Sequence, residues 1–182
     1  MRFLPTTLVG AFLIEPEPRG DARGYFARTF CETEFGAAGL ETRFPQNNHS
    51  FNHVAGTLRG MHFQNAPAAE VKVVRCVRGA IRDIIIDLRP DSDSYLKWEA
   101  FELTEENDHQ LYVPKGFAHG YITLKDESAV SYLVSTPYTP AAEGGVRWND
   151  PAFGIDWGME VRQISDKDAS WPDYRPHEGG LL

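Results

Sequence analysis

A chain of 182 residues, 42% hydrophobic and 12% aromatic, fits one domain and carries enough apolar material for a real core. With 26 acidic against 18 basic residues and a formal charge of −8, it repels a phosphate polymer, which argues against nucleic acid as a partner. A small phosphorylated ligand stays open, because a few arginines converging in one cleft can outweigh the global charge locally.

Met1-Arg2-Phe3-Leu4-Pro5 has neither the basic stretch nor the apolar run of a secretory signal, and no apolar stretch approaches the roughly 18 residues needed to cross a bilayer. A soluble cytoplasmic protein without a membrane partner is expected. Short β-branched and aromatic runs, broken by Gly, Pro, Asn and Asp, predict strands at Ala11–Ile14, Gly24–Phe30, Thr57–Gln64, Val71–Arg78, Ile81–Leu88, Tyr95–Leu103, Gln110–Val113, Ala118–Thr123 and Ala129–Ser135. This is the texture of an antiparallel sandwich or barrel. Short helices are predicted at Glu32–Ala38 and Asp166–Ala169, and a tight hairpin at Arg78-Gly79-Ala80. The last segment, from about 172 to 182, contains Pro172, Pro176 and Gly179-Gly180 and is expected to be loosely ordered. Cys31 and Cys76, the only two cysteines, belong to no CxxC pair or ligand-spaced cluster and read as reduced fillers.

Four places put polar groups where a strand should be apolar, and burying such groups costs a few kcal/mol, about 2 or more, unless they are paired or used. Leu58-Arg59-Gly60-Met61-His62-Phe63-Gln64 holds an imidazole, the natural general base for a moderately acidic C–H; a core histidine satisfied by a carbonyl is the plainer reading. Alternation groups Lys72 with Val74 and Cys76, and a lysine on an inner face can stabilise an enolate, although a solvent-facing Lys72 fits the spacing equally. Asp83 and Asp87 share a face with Ile81 and Ile85, opposite Arg82, Ile84 and Ile86; the carboxylates either orient a cross-barrel partner or lie on a solvated face. Tyr132 shares a face with Val130 and Val134, as a proton donor or as packing with a hydrogen-bonded tip. None of the six histidines shows HxH spacing, and His49 and His53 lie in an asparagine-rich stretch read as a loop, so no metal site is expected.

Taken together, the motifs resemble the dTDP-4-dehydrorhamnose 3,5-epimerase family along nearly the whole chain. Asp21-Ala22-Arg23-Gly24-Tyr25-Phe26 is similar to its D-x-R-G-F-F strand, Gln46-Asn47-Asn48-His49-Ser50 to Q-x-N-H-S, and Leu58–Gln64 to L-R-G-L-H-Y/F-Q. Lys72-Val73-Val74-Arg75 and Gly79 follow, then Pro114-Lys115-Gly116-Phe117-Ala118-His119-Gly120, Tyr132, Tyr138-Thr139-Pro140, Glu143, Trp148-Asn149-Asp150-Pro151 and Ser165-Asp166-Lys167-Asp168, in the family's order. The resemblance implies an all-β cupin or jelly-roll barrel (a double-stranded β-helix) with short peripheral helices, acting without a cofactor on a nucleotide-linked 4-keto-6-deoxy sugar.

It also implies roles. His62 is the base, paired with Asp168; Lys72 stabilises the enolate at O4; Tyr132 returns the proton from the opposite face; Asp83 supports the inner polar network. Arg59 and His119 hold the sugar-nucleotide near its phosphates, Tyr138 packs on the nucleotide, and Arg23, Phe26, Arg28, Gln46, Asn48 and Glu143 belong to the substrate site. Arg23 and Phe26 reach into a partner's barrel, implying a homodimer. Two positions depart: Arg28 stands where thymine-nucleotide binders usually carry glutamate, and Glu70 where glutamine is frequent. GDP-, CDP- or UDP-linked substrates, inversion at C3 or C5 alone, a 3,4-ketoisomerase and a non-catalytic sugar-nucleotide-binding cupin remain as alternatives.

Overall fold

A computed structural model describes residues 1–176 of the chain. In chain order its elements are β1 (Arg2–Pro5), β2 (Phe12–Glu15), β3 (Arg19–Asp21), β4 (Gly24–Phe26), α1 (Glu32–Ala37), β5 (Gln46–Asn52), β6 (Thr57–Gln64), β7 (Lys72–Arg78), β8 (Ala80–Asp87), β9 (Trp98–Thr104), β10 (Gln110–Val113), β11 (Phe117–Thr123), β12 (Ser128–Val134), β13 (Glu143–Gly145), β14 (Gln163–Ile164) and α2 (Asp166–Ala169). No described helix is long and apolar enough to cross a membrane.

Two sheets face each other. The first runs β1-β2-β10-β7-β12-β5; the second runs β13-β6-β11-β8-β9, with β14 added parallel to β6. Their facing sides enclose Val74, Cys76, Leu111 and Val130 from the first sheet and Ile81, Ile85, Leu103, Phe117 and Tyr121 from the second. Each such fully buried aliphatic side chain contributes about 1.5–3 kcal/mol. This is the expected cupin jelly roll, with short peripheral helices.

Both outer faces are also covered. Phe30, Phe35 of α1, Leu40 and Phe44 lie over Ile14, Val71, Val73 and Tyr112 of the first sheet. Trp148, Phe153, Ile155, Trp157 and Val161 cover Leu58, Met61, Ile84, Ile86 and Ile122 of the second. Burial on both faces explains why β8 reads as a nearly continuous apolar run and not as a clean alternation.

The structure corrects four local expectations. Arg78-Gly79-Ala80 is no hairpin: β7 and β8 belong to different sheets, and Gly79, at φ 75°, carries the chain from one to the other. A Cβ there would lie 2.4 Å from Ser128 Oγ, so only glycine passes. The stretch from Gln46 through Asn52, whose asparagine-rich sequence around His49 predicts a loop, is a strand paired along its length with β12. It reads as polar because Gln46, Asn48, Ser50 and Asn52 turn toward the barrel interior while His49 and Phe51 face out. The strand predicted over Gly24–Phe30 stops at Phe26, since Phe30 turns under α1 to join its aromatic cluster. Finally, the tail is docked through Tyr174: Pro172 O accepts from Arg147 N at 3.1 Å, and the Tyr174 hydroxyl lies 2.9 Å from that of Tyr95. The rest of the expected tail, beyond residue 176, lies outside the described residues.

Candidate active site

The site is built around an irregularity in β6. Arg59 pairs with Tyr121 and His62 with His119, so Gly60 and Met61 together stand against the single Gly120. That bulge breaks the two-residue period. Arg59 and His62, which strict alternation puts on opposite faces, therefore share the inner face, while Leu58, Met61 and Phe63 share the outer core. Gly60 permits it: at φ 133° an added Cβ would meet Gly120 Cα at 2.6 Å.

Asp168 reaches His62 from 106 residues away. Strand β14 pairs alongside Thr57 and Leu58, and α2 begins immediately after it, with Ser165 Oγ accepting from Asp168 N at 3.1 Å. This cap turns the Asp168 carboxylate toward β6, where Oδ1 lies 2.7 Å from His62 Nε2 and Oδ2 accepts from Gly60 N at 3.1 Å. Burial pushes this carboxyl up, but the His62 hydrogen bond and field, with the Gly60 N–H, outweigh it and hold Asp168 below the usual aspartate range. An ionised carboxylate only accepts, so Nε2 is the His62 ring nitrogen that donates to it and Nδ1 is the one turned away.

His62 opens onto a cavity of about 390 Å³ between the two sheets, lined by residues from β5, β6, β7, β12, β13, α2 and the connecting loops. Facing His62 from the first sheet are Lys72 and Tyr132. Lys72 is buried and its Nζ lies 3.2 Å from Glu70 Oε1. Burial is the main reason the Tyr132 phenol is pushed up; Tyr121 and Glu70 add to it, and Arg59 opposes. Tyr132 therefore stays protonated well into alkaline solution. At one wall Gln46 Nε2 donates to Asn48 Oδ1 at 2.8 Å; at the rim Tyr138 donates to Glu143 Oε2 at 2.9 Å, and Lys167 Nζ sits 2.6 Å from Glu143 Oε1. The cavity thus collects His62, Lys72, Tyr132, Gln46, Asn48, Tyr138 and Glu143 of the predicted site residues.

Three further predicted residues, Asp83, His119 and Arg59, lie outside its lining. Asp83 is fully buried, with Oδ2 2.9 Å from His119 Nε2 and Oδ1 without a hydrogen-bond partner among the described residues. Desolvation pushes the Asp83 carboxyl up against the opposing pull of His119 and Lys72. Arg59 lies on the far side of Asp168, its Nε donating to Asn52 Oδ1 at 2.7 Å in a second recess that Asp168 also lines.

Three predicted residues are not brought to this cavity. Arg23 pairs with Asp21 on the exposed β3–β4 hairpin, Phe26 is 67% exposed, and Arg28 pairs with Glu34 at 2.9 Å. Conversely, Phe63, Gln64, Glu70, Val134 and Lys167 line the cavity and were not singled out as site residues. For Gln64 the inward alternation from His62 was an available signal; for Lys167 none was, because its place depends on the docking of α2. No group of three or more His, Cys, Asp or Glu side chains among the described residues is disposed to hold a metal ion.

The profile of the dTDP-4-dehydrorhamnose 3,5-epimerase family matches residues 5–175. The dTDP-4-dehydrorhamnose 3,5-epimerase of Methanothermobacter thermautotrophicus is 45% identical over 96% of this chain and 95% of its own length. The dTDP-4-dehydrorhamnose 3-epimerase of Streptomyces niveus is 38% identical, over 92% of this chain and 81% of its own. The crystal structure of the dTDP-4-dehydrorhamnose 3,5-epimerase from Bacillus anthracis, with TDP and PPi bound, superposes with a TM-score of 0.92 at 39% identity, covering 95% of this chain and 99% of that one. Agreement along the full length, in sequence and in barrel geometry, leaves one conclusion: the chain belongs to the dTDP-4-dehydrorhamnose 3,5-epimerase family.

Proposed function

We propose that this isomerase inverts C3 and C5 of a dTDP-linked 4-keto-6-deoxyhexose by proton abstraction next to the ketone. The observation that carries the reading is the placement of His62 and Tyr132 on opposite sheets of one cavity, with Lys72 beside Tyr132. The C4 ketone acidifies the C–H bonds on both of its flanks, so one base serves either carbon.

In this scheme Lys72 Nζ donates to O4, His62 Nδ1 takes the proton, and the electron pair moves into an enolate that the ammonium stabilises. Asp168 fixes the working tautomer of His62 and stabilises the imidazolium that forms. Tyr132 then delivers its phenolic proton to the opposite face, inverting the carbon. The proton held on His62 and the one lost by Tyr132 are re-equilibrated through solvent before the next carbon. Asp83 supports this inner network through His119.

Around the chemistry, Arg59 and the small exposed edge of His119 are assigned to the phosphate end, Gln46 and Asn48 to the cavity wall, and Tyr138 with Glu143 to the nucleotide end. Arg23, Phe26 and Arg28 are assigned to the substrate site of a second copy. The exposure of Tyr25 at 60% and Phe26 at 67% on one hairpin supports a homodimer; light scattering that returns a monomer at micromolar concentration argues against it.

The function is tested by proton NMR in deuterated buffer with dTDP-4-keto-6-deoxyglucose. Deuterium entering at both C3 and C5 supports the full reading, and at one carbon alone it restricts the activity. A 3-keto product, or bound ligand with no exchange, overturns it.

A further inference from the structure

The cavity wall holds an acid that the proposed reaction does not use. Glu70 sits in the loop before β7 with its side chain only 11% exposed. One carboxylate oxygen lies 3.2 Å from Lys72 Nζ, and the other accepts from Gln64 Nε2 at 2.9 Å. Gln64 is itself fixed: its Nε2 also donates to Ala68 O at 3.1 Å, and its Oε1 accepts from Thr139 N at 2.6 Å. A side chain of the second sheet thus anchors a carboxylate that grips an ammonium on the first.

We infer that Glu70 is a positioning residue for the proposed epimerisation, holding the Lys72 ammonium at the cavity wall and setting the charge felt by both Lys72 and Tyr132. The inference rests on the proposed function for the roles of those two groups. A nearby anion favours a charged ammonium and disfavours a phenolate. Both biases point the same way, because proton return needs Tyr132 protonated and enolate stabilisation needs Lys72 charged.

Burial and Tyr121 also push the Tyr132 phenol up, ahead of Glu70, but neither is paired to Lys72. Tyr132 faces Tyr121 from β11 and Arg59 from β6; Tyr121 is buried and hydrogen-bonded to Ser50, while Arg59 pulls the phenol down. Lys72 lies in the field of Asp83 from β8, whose carboxyl is pushed up and engaged with His119. At the rim, Glu143 is neutralised by Lys167 and capped by the Tyr138 hydroxyl, and His62 is committed to Asp168. Glu70 is the cavity carboxylate paired directly to Lys72.

The test compares wild type, Glu70→Gln and Glu70→Asp in two readouts. One is the midpoint of Tyr132 in a carbon-13 tyrosine NMR titration, with its signal assigned by Tyr132→Phe. The other is the pH profile of deuterium incorporation from solvent into dTDP-4-keto-6-deoxyglucose. Glu70→Gln is expected to move both the Tyr132 midpoint and the alkaline limb of the rate to lower pH, by a few tenths of a unit. Glu70→Asp, which keeps the charge, is expected to restore most of that displacement. A Glu70→Gln rate reduced by one factor at every pH, an unmoved Tyr132 midpoint, or a Glu70→Asp protein displaced as far as Glu70→Gln would each overturn the inference. Wild-type protein that exchanges no proton would sink the epimerase reading alone, since the Tyr132 titration judges Glu70 without substrate.

Discussion

Two histidine–carboxylate pairs stand side by side in this barrel, and they are built to opposite specifications. His62 and His119 are cross-strand neighbours, each with Nε2 within 3 Å of an aspartate oxygen, at 2.7 Å and 2.9 Å. Asp168 receives the His62 ring and the Gly60 N–H and is held ionised below its ordinary range, while the His62 side chain remains 33% exposed toward the cavity. Asp83 has one oxygen without a partner among the described residues and is pushed up by desolvation, and His119 is only 9% exposed. The same pairing of ring and carboxylate thus yields two environments: one carboxylate kept charged beside a ring that reaches the cavity, the other desolvated beside a ring nearly closed off from it.

Replacing the two histidines breaks this comparison most sharply. His62→Asn is expected to slow deuterium washout at both carbons by about 10³-fold or more, and His119→Asn by less than about 10-fold with a raised KM. Equal losses in NMR exchange rates mean that the two histidine pairs contribute alike. Gly60→Ala strikes the bulge that brings the two rings together, and the 2.6 Å approach to Gly120 Cα with φ at 133° predicts a loss of about 3 kcal/mol or more in denaturant unfolding. An unfolding midpoint equal to wild type means that the bulge tolerates a side chain.

Tyr132→Phe separates the two halves of the reaction on the His62 side. Washout is expected to persist while completed inversion falls about 10²-fold, as measured by product stereochemistry; parallel losses mean that Tyr132 also serves proton removal.

The smallest effects are the pH slopes of stability, where the two aspartates have opposite sign. The folded-state pKa of Asp168 is depressed, so its contribution is present above the unfolded value near 3.9 and is lost as pH falls through the folded value. That of Asp83 is raised, so its contribution is greatest below about 3.9 and is lost as pH rises through the folded value. In thermal unfolding between pH 3 and 7, Asp168→Asn should flatten the acid-side decline, and Asp83→Asn should cost less at pH 7 than at pH 4. Two variants with the same pH dependence contradict the contrast between the pairs.

Much of the architecture was legible from local pattern. Thr57–Gln64, Gln110–Val113 and the helix Asp166–Ala169 have the predicted bounds, and alternation correctly grouped Lys72 with Val74, Asp83 with Ile85, and Tyr132 with Val130. Pattern failed where a strand's environment differs from the usual one. Gln46–Asn52 is a strand with a polar inner face because it lines a cavity, and the Gly79 link has the local signature of a hairpin although its flanking strands pair in different sheets.

By itself, the sequence determined which elements form, which side chains share a face and, through its motif series, the family; these depend on residues near one another along the chain. Only the tertiary structure decided which face is inside, that a bulge puts Arg59 and His62 together, how α2 carries Asp168 across 106 residues to the His62 pairing that the motif series implied, and that Glu70 pairs with Lys72. Those facts follow from how two sheets close on each other, and burial, register and the pairing of distant charges exist only after that closure.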